Sequence, residues 1–222
     1  MKNLKLAAVC LSCLTMTGCS ALNFSVEGLI NAPKLTSEQS EIHQALIESV
    51  GSNITLKYPK NGEYRSAYVI ANIDDEPTDE AMVFYEYTSN GSEEDGLRVN
   101  ILDKDENGKW YSVKELAGAG TDIDQVIISP MGSNNQTDVF VGYQNLTNDE
   151  KTMEIYSYTD GDFKRVALDT YSVLEPLDIN NDGYIELITI QRSTNNDTGA
   201  VTAKASMLNM KNNEITRGEN VD

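Results

Sequence analysis

The chain has 222 residues and a formal net charge of −18, with 35 Asp and Glu against 17 Lys and Arg. Such an acidic surface repels nucleic acid and anionic lipid and attracts divalent cations, so the composition argues against a nucleic-acid partner. Acidic residues alternate with ample aliphatic and aromatic runs, which predicts one sizeable folded domain and not a disordered chain.

The pattern of residues 1–18 predicts an export signal, which we expect not to be part of the fold. Lys2 and Lys5 form its charged region, and Leu6–Leu14 is an apolar run too short to span a membrane stably. Removing this segment takes the net charge of the mature chain to about −20.

The end of this signal resembles a lipobox, the motif that precedes a lipid-modified cysteine. It reads Met16-Thr17-Gly18-Cys19. Cys10 and Cys13 leave with the signal, so Cys19 is the only mature cysteine, and a single cysteine in an exported protein needs an explanation. Attachment of lipid of the palmitate type at Cys19 provides one. The alternative is an ordinary cleaved signal with an incidental cysteine.

The lipid interpretation predicts a protein anchored to the extracytoplasmic face of the cell membrane without spanning it. In this interpretation residues 19–33 are the lipidated N-terminus and a tether.

One helix is predicted, over Leu35–Val50 within a segment 34–51. Thr36 is suited to cap its start and Gly51 to end it. Its apolar residues fall at helical spacing and predict one buried stripe: Ile42, Ala45, Leu46 and Val50. His43, the only histidine, lies next to this stripe. We interpret it as solvent-facing rather than as a ligand or base, because no Cys or Asp cluster accompanies it.

Residues 52–222 read as β-structure throughout. Ile54–Tyr58 and Tyr64–Asn72 flank Asn61-Gly62, a pair that favours a hairpin. Further strands are predicted at Glu80–Tyr87, Leu97–Leu102, Trp110–Leu116, Asp124–Ile128, Asp138–Tyr143, Thr152–Tyr158, Phe163–Leu168, Tyr171–Leu174, Glu186–Gln191 and Val201–Met210.

The segment Asp178–Glu186 has the pattern of a calcium loop. A hard cation needs six or more oxygen ligands from a tightly curled loop, and Gly183 supplies the turn. The candidate ligands are the side chains of Asp178, Asn180, Asp182 and Glu186 and the main-chain carbonyl of Tyr184. Thr189 stands where an EF-hand has Glu, so the loop leads into a strand and is not an EF-hand. The alternative is an Asn- and Asp-rich turn without metal.

The frame of this loop occurs three times. Asn72 and Glu80 repeat the eight-residue offset of Asp178 and Glu186, and Pro130–Asp138 is a third, decayed copy. Each copy follows one apolar run and precedes three more strand-like runs. A period near 50 residues with four short strands per unit is typical of a propeller blade.

The loop Asp178–Glu186 resembles the FG-GAP/VCBS repeat, the calcium-binding blade motif of integrin-α-type propellers. The first copy departs from that motif at Asn72 and Pro77, and the second has lost nearly every ligand. Lys34–Ala67 is similar to a family of uncharacterised Gram-positive surface lipoproteins. The resemblance implies a mainly β fold of three four-stranded propeller-type repeats, a partial or open β-propeller, preceded by one α-helix. It also implies a structural Ca²⁺.

Little in the sequence points to catalysis. The single histidine lies on a helix, and Gly118-Ala-Gly120 lacks the Lys and spacing of a phosphate loop. We therefore expect a binding or scaffold module of the cell surface, with a surface protein or glycan as ligand. Two alternatives stay open: a carbohydrate-active envelope enzyme using acidic residues such as Glu93-Glu94-Asp95, and a structural subunit of an envelope complex.

Overall fold

A computed structural model describes residues 35–88, 96–131, 136–145, 150–195, 197–211 and 214–218. The predicted signal, Cys19, the tether and the acidic run Glu93–Asp95 lie outside these ranges. The elements below all belong to one compact unit, Ser37–Asp222. Within the described ranges no helix has the length and apolar content needed to cross a membrane.

The described residues form one helix and thirteen strands. The helix α1 covers Ser37–Val50. The strands are β1 (Ile54–Leu56), β2 (Tyr68–Ala71), β3 (Glu80–Tyr87), β4 (Leu97–Lys104), β5 (Trp110–Ala117), β6 (Asp122–Ser129), β7 (Asp138–Gln144), β8 (Lys151–Thr159), β9 (Asp162–Tyr171), β10 (Val173–Leu177), β11 (Glu186–Thr194), β12 (Val201–Lys211) and β13 (Glu214–Arg217).

The strands form three antiparallel sheets, none of which closes on itself. The first sheet has the order β1-β3-β4-β5, with β2 also paired to β3. The second sheet has the order β6-β7-β8-β9 and the third β10-β11-β12-β13, so neighbours in sequence are neighbours in space. The prediction of a mainly β fold with one N-terminal helix is confirmed.

Three apolar cores pack the helix and the sheets against one another in chain order. Between α1 and the first sheet, Ile42 and Leu46 meet Tyr85 and Trp110, which confirms the predicted helix stripe. The second core joins the first and second sheets through residues such as Val99, Ile101, Val139 and Val141. The third joins the second and third sheets through Phe140, Met153, Leu187 and Leu208.

The predicted hairpin around Asn61-Gly62 is wrong. Both β1 and β2 pair with β3 and not with each other. The intervening chain instead crosses to the second sheet. There the backbone N–H of Asn61 donates to the backbone carbonyl of Asp124 at 2.7 Å, and the side-chain amide of Asn61 donates to the Asp124 carboxylate at 2.8 Å. These bonds to the second sheet satisfy the polar groups that the hairpin ladder was expected to pair.

His43 is half-buried, so its predicted solvent-facing position is only partly correct. Its Nδ1 lies 2.8 Å from the hydroxyl of Tyr68, and the two rings meet edge-on. Burial raises the pKa of Tyr68 to about 12, so the hydroxyl keeps its proton at neutral pH. The pair joins the helix to the first sheet and has the character of a structural contact.

Candidate functional site

Three loops occupy equivalent places in the three sheets. The first loop (Asn72–Glu80) joins β2 to β3, the second loop (Pro130–Asp138) joins β6 to β7, and the third loop (Asp178–Glu186) joins β10 to β11. The last residue of each loop is the first residue of the following strand. The predicted equivalence of these segments is therefore confirmed, except for residues 132–135, which lie outside the described ranges.

Each loop is fastened by the carboxylate at its last position, here called the latch carboxylate. It accepts a hydrogen bond from the backbone N–H seven residues earlier. The three bonds are Ile73 to Glu80 at 2.8 Å, Met131 to Asp138 at 3.0 Å and Ile179 to Glu186 at 2.9 Å. A charge-assisted bond of this kind ties the start of the loop to the strand that it enters.

The third loop is curled by its own side chains. Asp178 accepts the N–H groups of Asp182 and Gly183 at 3.1 and 3.0 Å. Asn180 accepts the same Asp182 N–H at 2.9 Å, and Asp182 accepts that of Tyr184 at 2.9 Å. Gly183 has a φ of 88°, a left-handed conformation that favours glycine. The curl turns the side-chain oxygens of alternate residues toward the loop interior.

The donor set of the third loop fits a hard cation. All of its polar ligands are oxygens: the carboxylates of Asp178, Asp182 and Glu186, the amide oxygen of Asn180 and the carbonyl of Tyr184. These are the ligand types that Ca²⁺ takes in proteins. Throughout the ranges that the structure describes, no three His, Cys, Asp or Glu side chains form a group that could hold a metal ion. The match to a cation is therefore one of ligand types and spacing, because the three carboxylates of the loop do not form such a group.

The first loop is closed in another way. The side-chain amide of Asn72 donates to the carbonyls of Glu76 and Thr78 at 2.6 and 3.2 Å. A neutral donor thus replaces the acid that opens the third loop. An amide nitrogen directed at carbonyl oxygens draws those oxygens inward without a cation.

The latch carboxylate of the first loop is deeply buried. Glu80 is 1% exposed, and its Oε1 has no hydrogen-bond partner among the described residues. Burial raises the pKa of Glu80 to about 7, and the charges of Asp74 and Asp103 push it in the same direction. This carboxyl therefore titrates near neutral pH.

The second loop combines its latch with a link to the next strand. Asp138 is 1% exposed and also accepts the hydroxyl hydrogen of Ser157, from β8. The carbonyl of Pro130 accepts the N–H of Ile185 at 3.0 Å, which fastens the end of the third loop to the second. These contacts make the second loop a structural link between β8 and the third loop.

A separate cleft lies between the segment 61–64 and the first strands of the second and third sheets. Its volume is about 450 Å³, within the range of small-ligand sites. Gln125 lines it, is 8% exposed, and forms no side-chain hydrogen bond to a described residue. Sequence reasoning missed this cleft because it depends on the crossing of Asn61 to the second sheet.

Comparison with known proteins gives no assignment: no family model matches this sequence, and no curated protein matches it.

Proposed function

We propose that this protein is a membrane-anchored extracytoplasmic lipoprotein that acts as a binding or scaffold module, with a structural calcium loop. The observation that carries the proposal is the latch repeated in all three sheets, together with the opening acid Asp178 and the glycine turn at Gly183 in the third loop. A repeated frame of this kind suits a rigid support for a binding surface, and the acidic surface favours cationic partners.

We further propose that the three sheets are propeller-type repeats in an open array. The second and third sheets each have four antiparallel strands in the order of the chain, and the first has the corresponding four, β2 to β5, together with β1. Consecutive sheets pack against each other through apolar cores. Typical propellers close a ring with four to eight such units. Three units with a helix on the first face suit a partial propeller.

In this proposal Ca²⁺ is held by Asp178, Asn180, Asp182, Glu186 and the carbonyl of Tyr184. Binding would gather the carboxylates of Asp178, Asp182 and Glu186 around the cation, whose positive charge offsets their mutual repulsion. The chain's own part is to curl the loop by the backbone bonds to Asp178 and Asn180. The role assigned to the metal is structural, since the latch ties the loop to the start of β11.

The cleft beside Gln125 is the place where the module is proposed to take a ligand. Its lining includes Glu63 and Tyr64 and no Lys or Arg. An aromatic ring, an unpaired amide and an acidic residue suit a polar group of a surface protein or a glycan. A scaffold role is favoured by the third sheet, because Val173 and Leu177 are exposed apolar residues on its face away from the second sheet.

We do not propose the enzymatic alternative. A glycosidase needs two carboxyls flanking one cleft. Several buried carboxylates here are instead bound to neighbours: Asp124 accepts bonds from Lys151, Tyr171 and Asn61, and Glu154 accepts bonds from Tyr156 and Arg165. Burial raises the pKa of Asp124, but its three donors outweigh burial and lower the pKa overall.

Thermal unfolding with and without calcium tests the proposed metal role. Calcium binds only the folded loop, so at a hundredfold excess over its dissociation constant it should stabilise the fold by roughly 2.7 kcal/mol. The melting temperature should rise with Ca²⁺ and fall with a chelator, and magnesium should substitute poorly. Asp182→Ala should abolish the calcium response, whereas Asp197→Ala, an exposed acid in another turn of the third sheet, should retain it. A melting curve indifferent to millimolar Ca²⁺ would contradict the proposal.

Cell fractionation tests the anchor separately. Cys19→Ala should release the chain from the membrane fraction or block its processing, because the thiol that carries the lipid is gone. Ser20→Ala, one residue later, should leave the chain in the membrane. If the Cys19 variant stays membrane-bound and migrates unchanged, lipid at Cys19 is not the anchor.

A further inference from the structure

The third sheet has one face that no described residue covers. Its near face packs on the second sheet through Leu174, Leu187 and Leu208. The opposite face, here called the far face, carries the alternate residues of each strand. In register these are Leu177 with Glu186; Glu175 with Ile188 and Met207; Val173 with Ile190 and Ala205; and Arg192 with Ala203.

The middle of the far face is apolar. Val173 is 36% and Leu177 49% exposed, and Ile188, Ile190 and Met207 are half-buried and belong to none of the three cores. By contrast, the buried apolar residues of the first and second sheets that the structure describes pack against the helix or against a neighbouring sheet. A contiguous apolar face flanked by polar residues is typical of an interaction surface.

Two opposite charges frame this apolar centre. Residues that lie side by side on neighbouring strands are here called a row. Glu175 lies in the row of Ile188, and Arg192 lies two residues beyond Ile190 on β11. Both charged side chains are exposed. Neither forms an ion pair within the described ranges. The two charged rows are therefore equally spaced on either side of the Ile190 row, in opposite directions along the strand.

We propose that the far face packs against the far face of a second copy of this chain. The two copies would be related by a two-fold axis that lies between the two faces, runs perpendicular to the strands and passes over Ile190. This axis would place the row of Ile188 in one copy opposite the row of Arg192 in the other. It would bring Glu175 of each copy within one strand spacing, about 5 Å sideways, of Arg192 of the other. The charges match only in this antiparallel arrangement, which favours a second copy over an unrelated apolar partner.

The dimensions of the far face suit a weak, reversible dimer. Only β11 and β12 extend through all the rows from Leu177 to Val201, roughly 27 Å along the strands, whereas β10 and β13 reach only the half toward Leu177. Each copy would thus bury about 300 Å², an area that suits a weak contact, so the match of charges and not the area identifies the partner. This assembly goes beyond the proposed calcium loop and anchor and does not depend on either.

Cysteine cross-linking of the full chain tests this arrangement. In a background of Cys10→Ser, Cys13→Ser and Cys19→Ser, the thiol of Ile190→Cys lies on the proposed axis, so each new thiol should meet its own counterpart. Oxidation of the purified protein in mild detergent should then give a disulfide-linked dimer on a non-reducing gel. Val113→Cys, 53% exposed on the edge strand of the first sheet, is the matched control and should give at least tenfold less.

Charge exchange in the Ile190→Cys background identifies the partner surface. Arg192→Glu creates two like-charge contacts per dimer and should lower the cross-linking yield about tenfold. Adding Glu175→Lys should restore it, with circular dichroism confirming that each variant is folded. The proposal is overturned by a yield no greater than that of Val113→Cys, by a yield insensitive to Arg192→Glu, or by failure of the double variant to recover.

Discussion

The first and third loops share one backbone frame but close it with different chemistry. In both, a latch carboxylate takes the N–H seven residues earlier, at 2.8 Å for Glu80 and 2.9 Å for Glu186. The first loop opens with Asn72, whose amide satisfies two carbonyls, whereas the third opens with Asp178, which accepts two N–H groups. The shared latch thus accounts for the common geometry, and the opening residue accounts for the different charge of each loop.

The latch carboxyls of the first and third loops also differ in burial and in charge. Glu80 is buried with one unpaired oxygen and a pKa raised to about 7, so it can be neutral in the folded state. Glu186 is half-buried and lies beside the exposed Asn180 and Asp182. A buried, proton-binding carboxyl suits a loop without metal, whereas accessible acidic oxygens suit a loop that takes a cation.

Removing the second latch should have the largest effect on stability. Asp138→Ala leaves the Met131 N–H and the Ser157 hydroxyl without their acceptor in a buried site, and hydrogen bonds to a charged group are worth about 1.5–3 kcal/mol each. The free energy of unfolding should fall by about 3–5 kcal/mol in chemical denaturation. Asp138→Asn keeps an oxygen for Met131 and should lose about half as much. Equal losses for the two variants would mean that the carboxylate is not the latch.

The pH dependence of the first latch should be the next largest effect. Because the folded-state pKa of Glu80 is raised to about 7 from an unfolded value near 4.5, the folded state holds the proton between these pH values and the unfolded state does not. The free energy of unfolding should therefore fall as pH rises through this window, by up to roughly 3 kcal/mol. Denaturation at a series of pH values should show this slope in the wild type.

Glu80→Gln should flatten that slope and stabilise the protein at pH 8, since the amide stays neutral and still accepts the Ile73 N–H. Glu186→Gln, the matched change in the third loop, should leave the slope in place when a chelator is present. A slope that survives Glu80→Gln would assign the titration to another group.

The sequence predicts the regular part of this fold well. The strand Glu80–Tyr87 and the buried stripe of the helix are predicted by the periodicity of apolar residues alone, because alternation and 3.6-residue spacing are local properties. The equivalence of the three loops follows from the eight-residue offset, although Pro130–Asp138 retains almost none of the motif. The latch carboxylate is visible in the sequence as the acid at the start of each second strand.

The features that the sequence did not predict depend on contacts between residues far apart in the chain. Asn61-Gly62 favours a hairpin locally, but Asn61 itself bonds to Asp124, more than sixty residues away. The burial of Glu80 and the cleft beside Gln125 depend on how the sheets stack, which no local pattern encodes. Cys19 stays a sequence-based prediction.

Calorimetric titration with calcium tests the contrast between the loops most directly. We expect one Ca²⁺ per chain, bound by the third loop. Asp182→Asn, which keeps the size of the side chain and removes its charge, should abolish this binding, whereas Glu76→Gln at the corresponding position of the first loop should leave it unchanged. Absence of binding at millimolar calcium, or a single site lost in Glu76→Gln and retained in Asp182→Asn, would contradict this expectation.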